Sequence, residues 1–519
     1  MIELSTAHQI KSIDRNCGTD SRELMQNAAE CLLSRIENTK EKYMFSLEFV
    51  AVVCGSGNNG GDGYALSILL AESGYNVTVI AADRPSSEDA LYYFSLCQDM
   101  GIPIVYAEEE QETAAEIIAD ATLTVDAMFG IGLSRAPGEP YEELIENINS
   151  SRSFVFSVDI PSGVFSDKAS FFRKNGVPLC VCADMTSTFV MKKAAHVSYP
   201  SMPYCGDVYV EDIGIPPEVT ANEDYVLFQP DDEIVTDIFT PRERNTNKGS
   251  FGTLMMLCGS ENMTGAAAIA AKSAARCGVG LEVCAADKKT LAVLQNKMDF
   301  PVFLPLEYDS NGMYNDKSLE ALTNYRGVTA YLVGCGLGKS DAAKQAVKHV
   351  IENSRVPVVL DADGINIISE DKSILKNRTC PVIITPHPGE MARLCGCGTD
   401  HVQDNRVELS RSFAEQYNVT VVLKGSATII ACPDGRCVFN TSGTPAMAKG
   451  GMGDALGGII ASLAAQNKPL FESAVCGTYI HGLAGEMGEK IYSEYGLMPE
   501  DMPDLTARVI KSKLSHNIE

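Results

Sequence analysis

The chain has 519 residues, enough for two hydrophobic cores, and its 45% apolar and 21% charged residues are the balance of a folded protein. A formal net charge of −26 repels phosphate backbones, and with no basic patch in the sequence a nucleic-acid partner is excluded. The longest apolar stretch, around Ala455 to Ala465, is too short to span a bilayer, the polar N-terminus carries no secretion signal, and the 17 cysteines follow no disulfide or zinc spacing. No membrane association is expected, and a cytoplasmic location is.

From residue 49 onward, β-branched runs alternate with helical-period stretches. FVAVVC is followed by a helix from Gly63, NVTVIAA by a helix through Tyr92, TLTVDAM by a helix from Tyr141, and then FVFSVDI. This is the βαβ rhythm of a parallel sheet. After Pro161 only irregular strand-like pieces are predicted, and Pro216-Pro217 with the polar stretch behind it marks a boundary near 218–230. A second series opens with TLMMLCG and a helix from Ala266 to Cys277. GLEVCAA, AYLVGCG, a helix from Asp341, PVVLDAD, PVIITPH, a helix over Asp404 to Tyr417, TVVLKG and TIIAC follow, with a helix-rich tail from Asp454. The expected fold class is α/β in two domains, 1–222 and 230–519.

CGSGNNGGDG, Cys54 to Gly63, ends a strand and opens a helix, so its glycines bring successive backbone N–H groups toward one point, as an anion cradle requires. Asp62 adds a carboxylate at the same turn. A side chain at Gly60 or Gly61 is expected to obstruct the ligand or forbid a positive φ. Asp126 in VDAMFGIGLSRAPG, and Asp159 and Ser162 in SVDIPSG, fall at further strand ends, where a doubly wound sheet places its ligand. Any one of these acidic residues alone reads as a helix cap.

Together GSGNNGGDG, VDAMFGIGLSR, VDIPSG, TFVMKKAAH and LMQNAA resemble the YjeF N-terminal domain, the NAD(P)H-hydrate epimerase family, over about residues 1–218. The resemblance implies a Rossmann-like three-layer fold. It implies that Asn58, Asn59, Gly60, Gly61 and Asp62, with Gly130, Ile131, Gly132, Leu133, Ser134, Arg135 and Ala136, hold the dinucleotide. It also implies K⁺ near Asn59, Asp126 and Ser162, and Asp159 with Lys193 beside the nicotinamide ring. A carboxylate and an ammonium there suit proton movement while a C6 hydroxyl is epimerised. The family often has Lys-x-Gly where this chain has Lys192-Lys193-Ala194-Ala195, which leaves Lys192 as the alternative to Lys193.

GGMGDALGGIIASLAA, from Gly450, sets glycines and Asp454 at the start of an apolar helix. Its unpaired N–H groups meet an anion while Asp454 takes a hydroxyl proton, a coherent unit for phosphoryl transfer. LKGSAT offers Lys424 and hydroxyls at one strand end, and TPHPGEM displays His387 and Glu390 at another. With NKGSFGTLMMLCGS, VGCGLG, LDADGIN and KGGMGD in this order, the half resembles the YjeF C-terminal domain, the ADP- or ATP-dependent NAD(P)H-hydrate dehydratase of the ribokinase-like superfamily. The resemblance implies that Lys424, Gly425, Ser426, Ala427, Thr428 and Gly453 contact the adenine nucleotide. Ala266, Gly338, His387 and Asp454 face the hydrate, and Mg²⁺ bridges the phosphates.

The joint expectation is a bifunctional repair enzyme for hydrated nicotinamide cofactors that uses ADP, with ATP the alternative, and forms a homo-oligomer. The competing expectation is a ribokinase-like kinase for a vitamin-type alcohol, fused to a non-catalytic nucleotide-binding module.

Overall fold

Val50–Cys54, Val77–Ala81 and Leu123–Ala127 bury every side chain, which only a strand covered by helices on both faces can do. In the computed structural model, which describes residues 1–515, these strands lie at the heart of a unit spanning Glu3–Leu227. Its sheet runs Asp207–Glu211, Met185–Phe189, Phe154–Val158, Leu123–Ala127, Val50–Cys54, Val77–Ala81 and Ile104–Tyr106, parallel throughout. The chain leaves Val50–Cys54 toward one edge and later returns to its other side, so a crevice opens at the carboxyl ends there.

The helix expected from Gly63 begins at Asn58 and runs to Glu72, with Gly57 as its cap. The glycines lie inside its first turns because the helix presses on the sheet. A Cβ on Gly63 would stand 2.7 Å from the Cβ of Ala127 and 2.8 Å from Cys54 Sγ. The irregular stretch after Pro161 holds two short hairpins and then Met185–Phe189, a full sheet strand. Its sequence, MTSTF, hides the apolar signal of a buried strand. Its hydroxyls are satisfied instead by the Cys205 carbonyl, Glu211 and Asp159.

The second unit comprises Met1–Ile2 and Phe228–Glu519. Its sheet includes, in spatial order, Cys437–Asn440, Thr428–Ala431, Thr420–Leu423, Val382–Ile384, Val358–Leu360, Ala330–Val333, Thr253–Leu257, Leu281–Asp287 and Val302–Leu306. Only the first two junctions in that order are antiparallel. Helix Met452–Ala465 is almost wholly buried and crosses Thr264–Arg276 so closely that a Cβ on Gly458 would meet the Ala270 carbonyl oxygen at 2.1 Å. The helix predicted over Asp404 to Tyr417 is two pieces, Thr399–Asp404 and Arg406–Tyr417. Strand Val302–Leu306 escapes the apolar pattern because it is a partly exposed edge interrupted by Pro305.

Candidate functional sites

The carboxyl ends of the first sheet open into a cavity of about 520 Å³. Asn58, Asn59, Asp62, Gly130, Ile131, Gly132, Leu133, Asp159 and Lys193 line it. Asn58 and Asn59 open the helix capped by Gly57, and Gly61 is the first residue whose N–H bonds back to that cap, so the amides before it are free for a ligand. Gly60 and Gly61 are not among the residues lining the cavity, and neither has the positive φ offered as one reason for a glycine there. Both pack against protein. A Cβ on Gly60 would meet the Gly55 carbonyl at 1.9 Å, and one on Gly61 the Met25 methyl at 2.6 Å. Ser134, Arg135 and Ala136 lie outside the cavity lining.

Lys193 reaches Asp159 Oδ1 at 2.7 Å, Thr188 Oγ1 at 2.6 Å and the Phe189 carbonyl at 3.1 Å, with only 1% of its side chain exposed. Burial works against the Asp159 charge, but Lys193, His196 and Thr188 more than offset it and hold the carboxyl below its ordinary range. Asp159 has φ +65° and Val190, beside Phe189, φ +68°, conformations kept only where surroundings enforce them. One enforcer is His196, which the sequence reading passed over. Its Nδ1 accepts the Lys193 N–H at 3.0 Å, and its Nε2 lies 2.9 Å from the Asp159 carbonyl. Burial and the Lys193 charge push its pKa down to about 3, so the ring is neutral and Nε2–H donates. Asp62 faces the same space, where burial and the charges of Asp159 and Asp14 raise its carboxyl well above the usual range.

Asp126 is fully buried beneath this cavity, its oxygens accepting from Ser162 Oγ at 2.5 Å, Ser162 N at 2.8 Å and Ser157 Oγ at 2.9 Å. Asn59 is on the cavity side, with a buried Nδ2 that has no partner.

In the second unit the helix carrying Asp454 starts from Gly451 at φ +102°, a turn open to glycine. Lys424 sits across from it, its Nζ 3.3 Å from where a Cβ on Gly453 would be. That ammonium bonds Asp361 Oδ1 at 2.7 Å and lies 3.9 Å from Glu390 Oε2. Burial alone would lower its pKa, yet Asp361 and Glu390 raise it. Asp361, Cys335 and Asp454 bring donor atoms within 4.8 Å of one another. Burial and the charges of Asp361 and Asp363 lift Asp454 to about 6, and burial lifts Glu390 to about 7. His387 caps helix Pro388–Cys395, accepting Gly389 N–H on Nδ1 while Glu390 Oε2 accepts the His387 N–H at 2.8 Å. Gly338 donates to Asp363 at 2.8 Å, and a Cβ on neighbouring Gly336 would stand 2.9 Å from that of Ala266. Asp361 is the acidic hub that the sequence reading quoted within LDADGIN but did not single out.

A Rossmann-like unit and a ribokinase-like unit, each with an acidic residue and a lysine at its strand ends, define a two-domain α/β enzyme. Residues 21–195 match the YjeF-related protein N-terminus family and residues 254–506 the NAD(P)H-hydrate dehydratase family. The bifunctional NAD(P)H-hydrate repair enzyme of Moorella thermoacetica is 31% identical, over 98% of this chain and 97% of its own. That of Coxiella burnetii is 32% identical over 97% and 98%. The chain belongs to the bifunctional NAD(P)H-hydrate repair enzyme family. Among solved structures, the ADP/ATP-dependent NAD(P)H-hydrate dehydratase of Bacillus subtilis, co-crystallized with ATP/Mg²⁺, is 29% identical, with 55% of this chain and 98% of that one covered and a TM-score of 0.47.

Proposed function

We propose that the chain interconverts the R and S forms of NAD(P)H hydrate over residues 1–222 and dehydrates the S form to NAD(P)H over residues 230–519 with ADP as phosphoryl donor. One observation carries the chemistry: the first unit holds a fixed Asp159–Lys193 ion pair in a ligand-sized cavity, and the second holds Asp454 near half-ionisation at a glycine-flanked helix start. The division into two units supports assigning one reaction to each.

In the first unit the free amides of the Asn58 helix start receive the dinucleotide phosphates, and Asp159, kept ionised by Lys193, takes and returns the proton while the C6 configuration is exchanged. The oxygen atoms of Asn59, Asp126 and Ser162 suit a hard monovalent cation, while the unpartnered Asn59 Nδ2 is a donor and calls for an acceptor on the ligand. K⁺ held by those oxygens would supply fixed positive charge.

In the second unit Asp454 accepts the C6 hydroxyl proton, the oxygen takes a phosphoryl group, and phosphate then leaves C6 as C5 loses a proton, restoring the dihydropyridine. Lys424 and the Gly453 amide meet the phosphate charge. The Cys335, Asp361 and Asp454 cluster is no hard-cation cage, since it includes a thiol and a carboxylate already bonded to Lys424. Mg²⁺ would therefore enter on the nucleotide phosphates and neutralise them there.

The test uses purified R and S hydrates with ADP or ATP and follows the return of dihydronicotinamide absorbance. S hydrate is expected to convert with nucleotide alone, and R hydrate only while the first unit is active. Accumulation of phosphorylated hydrate without release of phosphate would instead establish the kinase reading.

A further inference from the structure

Arg406 opens helix Arg406–Tyr417 and is 2% exposed, yet no acidic side chain among the described residues bonds it. Its donors go to backbone. Nη2 meets the carbonyls of Leu423 and Ala427 at 3.3 Å each, and Nη1 meets Gln403 Oε1 at 3.0 Å and the Lys424 carbonyl at 3.5 Å. Nε is buried and has no partner. A guanidinium ordinarily enters a protein interior against a carboxylate or phosphate, because an uncompensated buried charge is costly. Here burial is the one influence on its pKa, lowering it to about 10, so it remains charged at neutral pH.

What this cation touches is the 424–428 loop. Ala427 is held at φ +52°, Gly425 at φ +138°, and a Cβ on Gly425 would stand 2.9 Å from Nη1. The three carbonyls bonded by Arg406 lie at the strand end before the turn, Leu423 and Lys424, and within it, Ala427, so the guanidinium packs directly against this loop. Among the described residues Gln403 supplies the only side-chain partner, and it is neutral.

We propose that Arg406 is a positioning and specificity residue for the nucleotide, with its positive charge left unpaired in the protein so that the phosphates of the bound nucleotide become its counter-charge. This rests on the reading of residues 424–428 as the nucleotide loop. A residue that merely stapled the loop would serve every adenine ligand alike; a buried charge distinguishes ligands by how much negative charge they bring.

The experiment measures binding of ADP, AMP and adenosine to the full chain by calorimetry, for the parent protein, Arg406→Gln and Arg406→Lys. Gln keeps neutral donors near the carbonyls and removes the charge; Lys keeps the charge and lacks the planar fork that spans these carbonyls. The expectation for R406Q is about tenfold or more weaker ADP binding, a smaller loss for AMP, and less than about twofold for adenosine. R406K retains ADP affinity within about threefold. Equal losses for all three ligands in R406K, or parent-like ADP binding in R406Q, overturn the proposal. R406K decides the question alone if R406Q does not fold. If the parent protein binds none of the three ligands, the nucleotide-loop reading itself fails, a result distinct from either outcome for Arg406.

Discussion

Asp159 follows the end of strand Phe154–Val158 and Asp454 opens helix Met452–Ala465, and their surroundings treat the charge in opposite ways. Asp159 has the Lys193 ammonium at 2.7 Å and lies below its ordinary range, whereas Asp454 is buried near Asp361 and Asp363 and rises to about 6. A paired carboxylate stays ionised and presents a steady field with a ready acceptor. A carboxyl raised to about 6, with the Cys335 thiol and the Lys424 charge only partly offsetting its burial, exchanges its proton readily close to neutral pH, which suits removal of a hydroxyl proton. The same residue type is thus shifted in opposite directions by its neighbours.

The comparison breaks most sharply on substitution by asparagine. Asp454→Asn removes the acceptor and leaves the helix amides and Lys424 in place, so dehydration is expected to fall by roughly 10²–10⁴ while ADP affinity stays within about twofold. Removing a crowded carboxyl should also stabilise the second unit, on the order of 2 kcal/mol at neutral pH once solvent screening is allowed for. The sign follows from the raised pKa. The parent loses stability as pH climbs from 3.8 to about 6, and the variant does not, so the gain appears across that window and levels off above it. Unchanged turnover would remove Asp454 from the mechanism.

Asp159→Asn is expected to lower epimerisation by roughly 10²-fold, and here stability should move the other way. It strands the buried Lys193 ammonium, at a cost of about 3 kcal/mol to the first unit. Calorimetric melting of the full chain reads both units: D454N raising one transition while D159N lowers another sharpens the comparison, and two shifts of the same sign would dissolve it.

A milder separation comes from pH. Dehydration should drop about tenfold per unit once pH falls below about 6, because Asp454 must be unprotonated to accept the hydroxyl proton. Asp159, held below 3.8, gives epimerisation no acidic limb of its own down to about pH 5. Rate profiles on pure R and pure S hydrate settle this, and an epimerase limb at the same pH would mean that Asp159 is not the acceptor.

Much of the architecture was legible because parallel strands buried on both faces read as continuous β-branched runs and end in glycine turns. The same logic set Asp159 and Lys424 at strand ends and Asp454 at a helix start, while Lys193 was singled out by the family resemblance alone. That logic failed where the signal lies in tertiary contact. MTSTF reads as polar until its hydroxyls find Cys205, Glu211 and Asp159. The close approach of Gly55 and Met25 to Gly60 and Gly61 is likewise invisible in the string. Arg406 sits in NRVELS, which has no motif, and its relation to the loop 18 residues on exists only once the helix has packed beside the strand. LDADGIN holds two acidic residues, and nothing in the string distinguishes Asp361, which meets Lys424, from Asp363, which caps Gly338.

Glu282 offers the finest test of the burial argument, because burial raises its carboxyl as it does that of Asp454, but with no Cys335 or Lys424 beside it. It lies on strand Leu281–Asp287, 4% exposed, with Oε2 unpartnered and burial raising its carboxyl well above the ordinary range. If proximity to a ligand were what makes an unpaired carboxyl costly, Glu282→Gln would do nothing. If burial without a partner is the cause, the parent loses stability as pH rises from 4.5 toward the raised folded value, while the neutral amide does not. E282Q is therefore expected to match the parent near pH 4 and to exceed it by about 1 kcal/mol at pH 8, a shift of roughly 2 °C in the melting of the second unit. Dehydratase rates should be unaffected, since the side chain faces the core near Cys277 and Cys284 and not the carboxyl ends of the strands. A variant less stable at pH 8 than the parent would show that Glu282 has a partner in solution and that burial alone does not set its raised pKa.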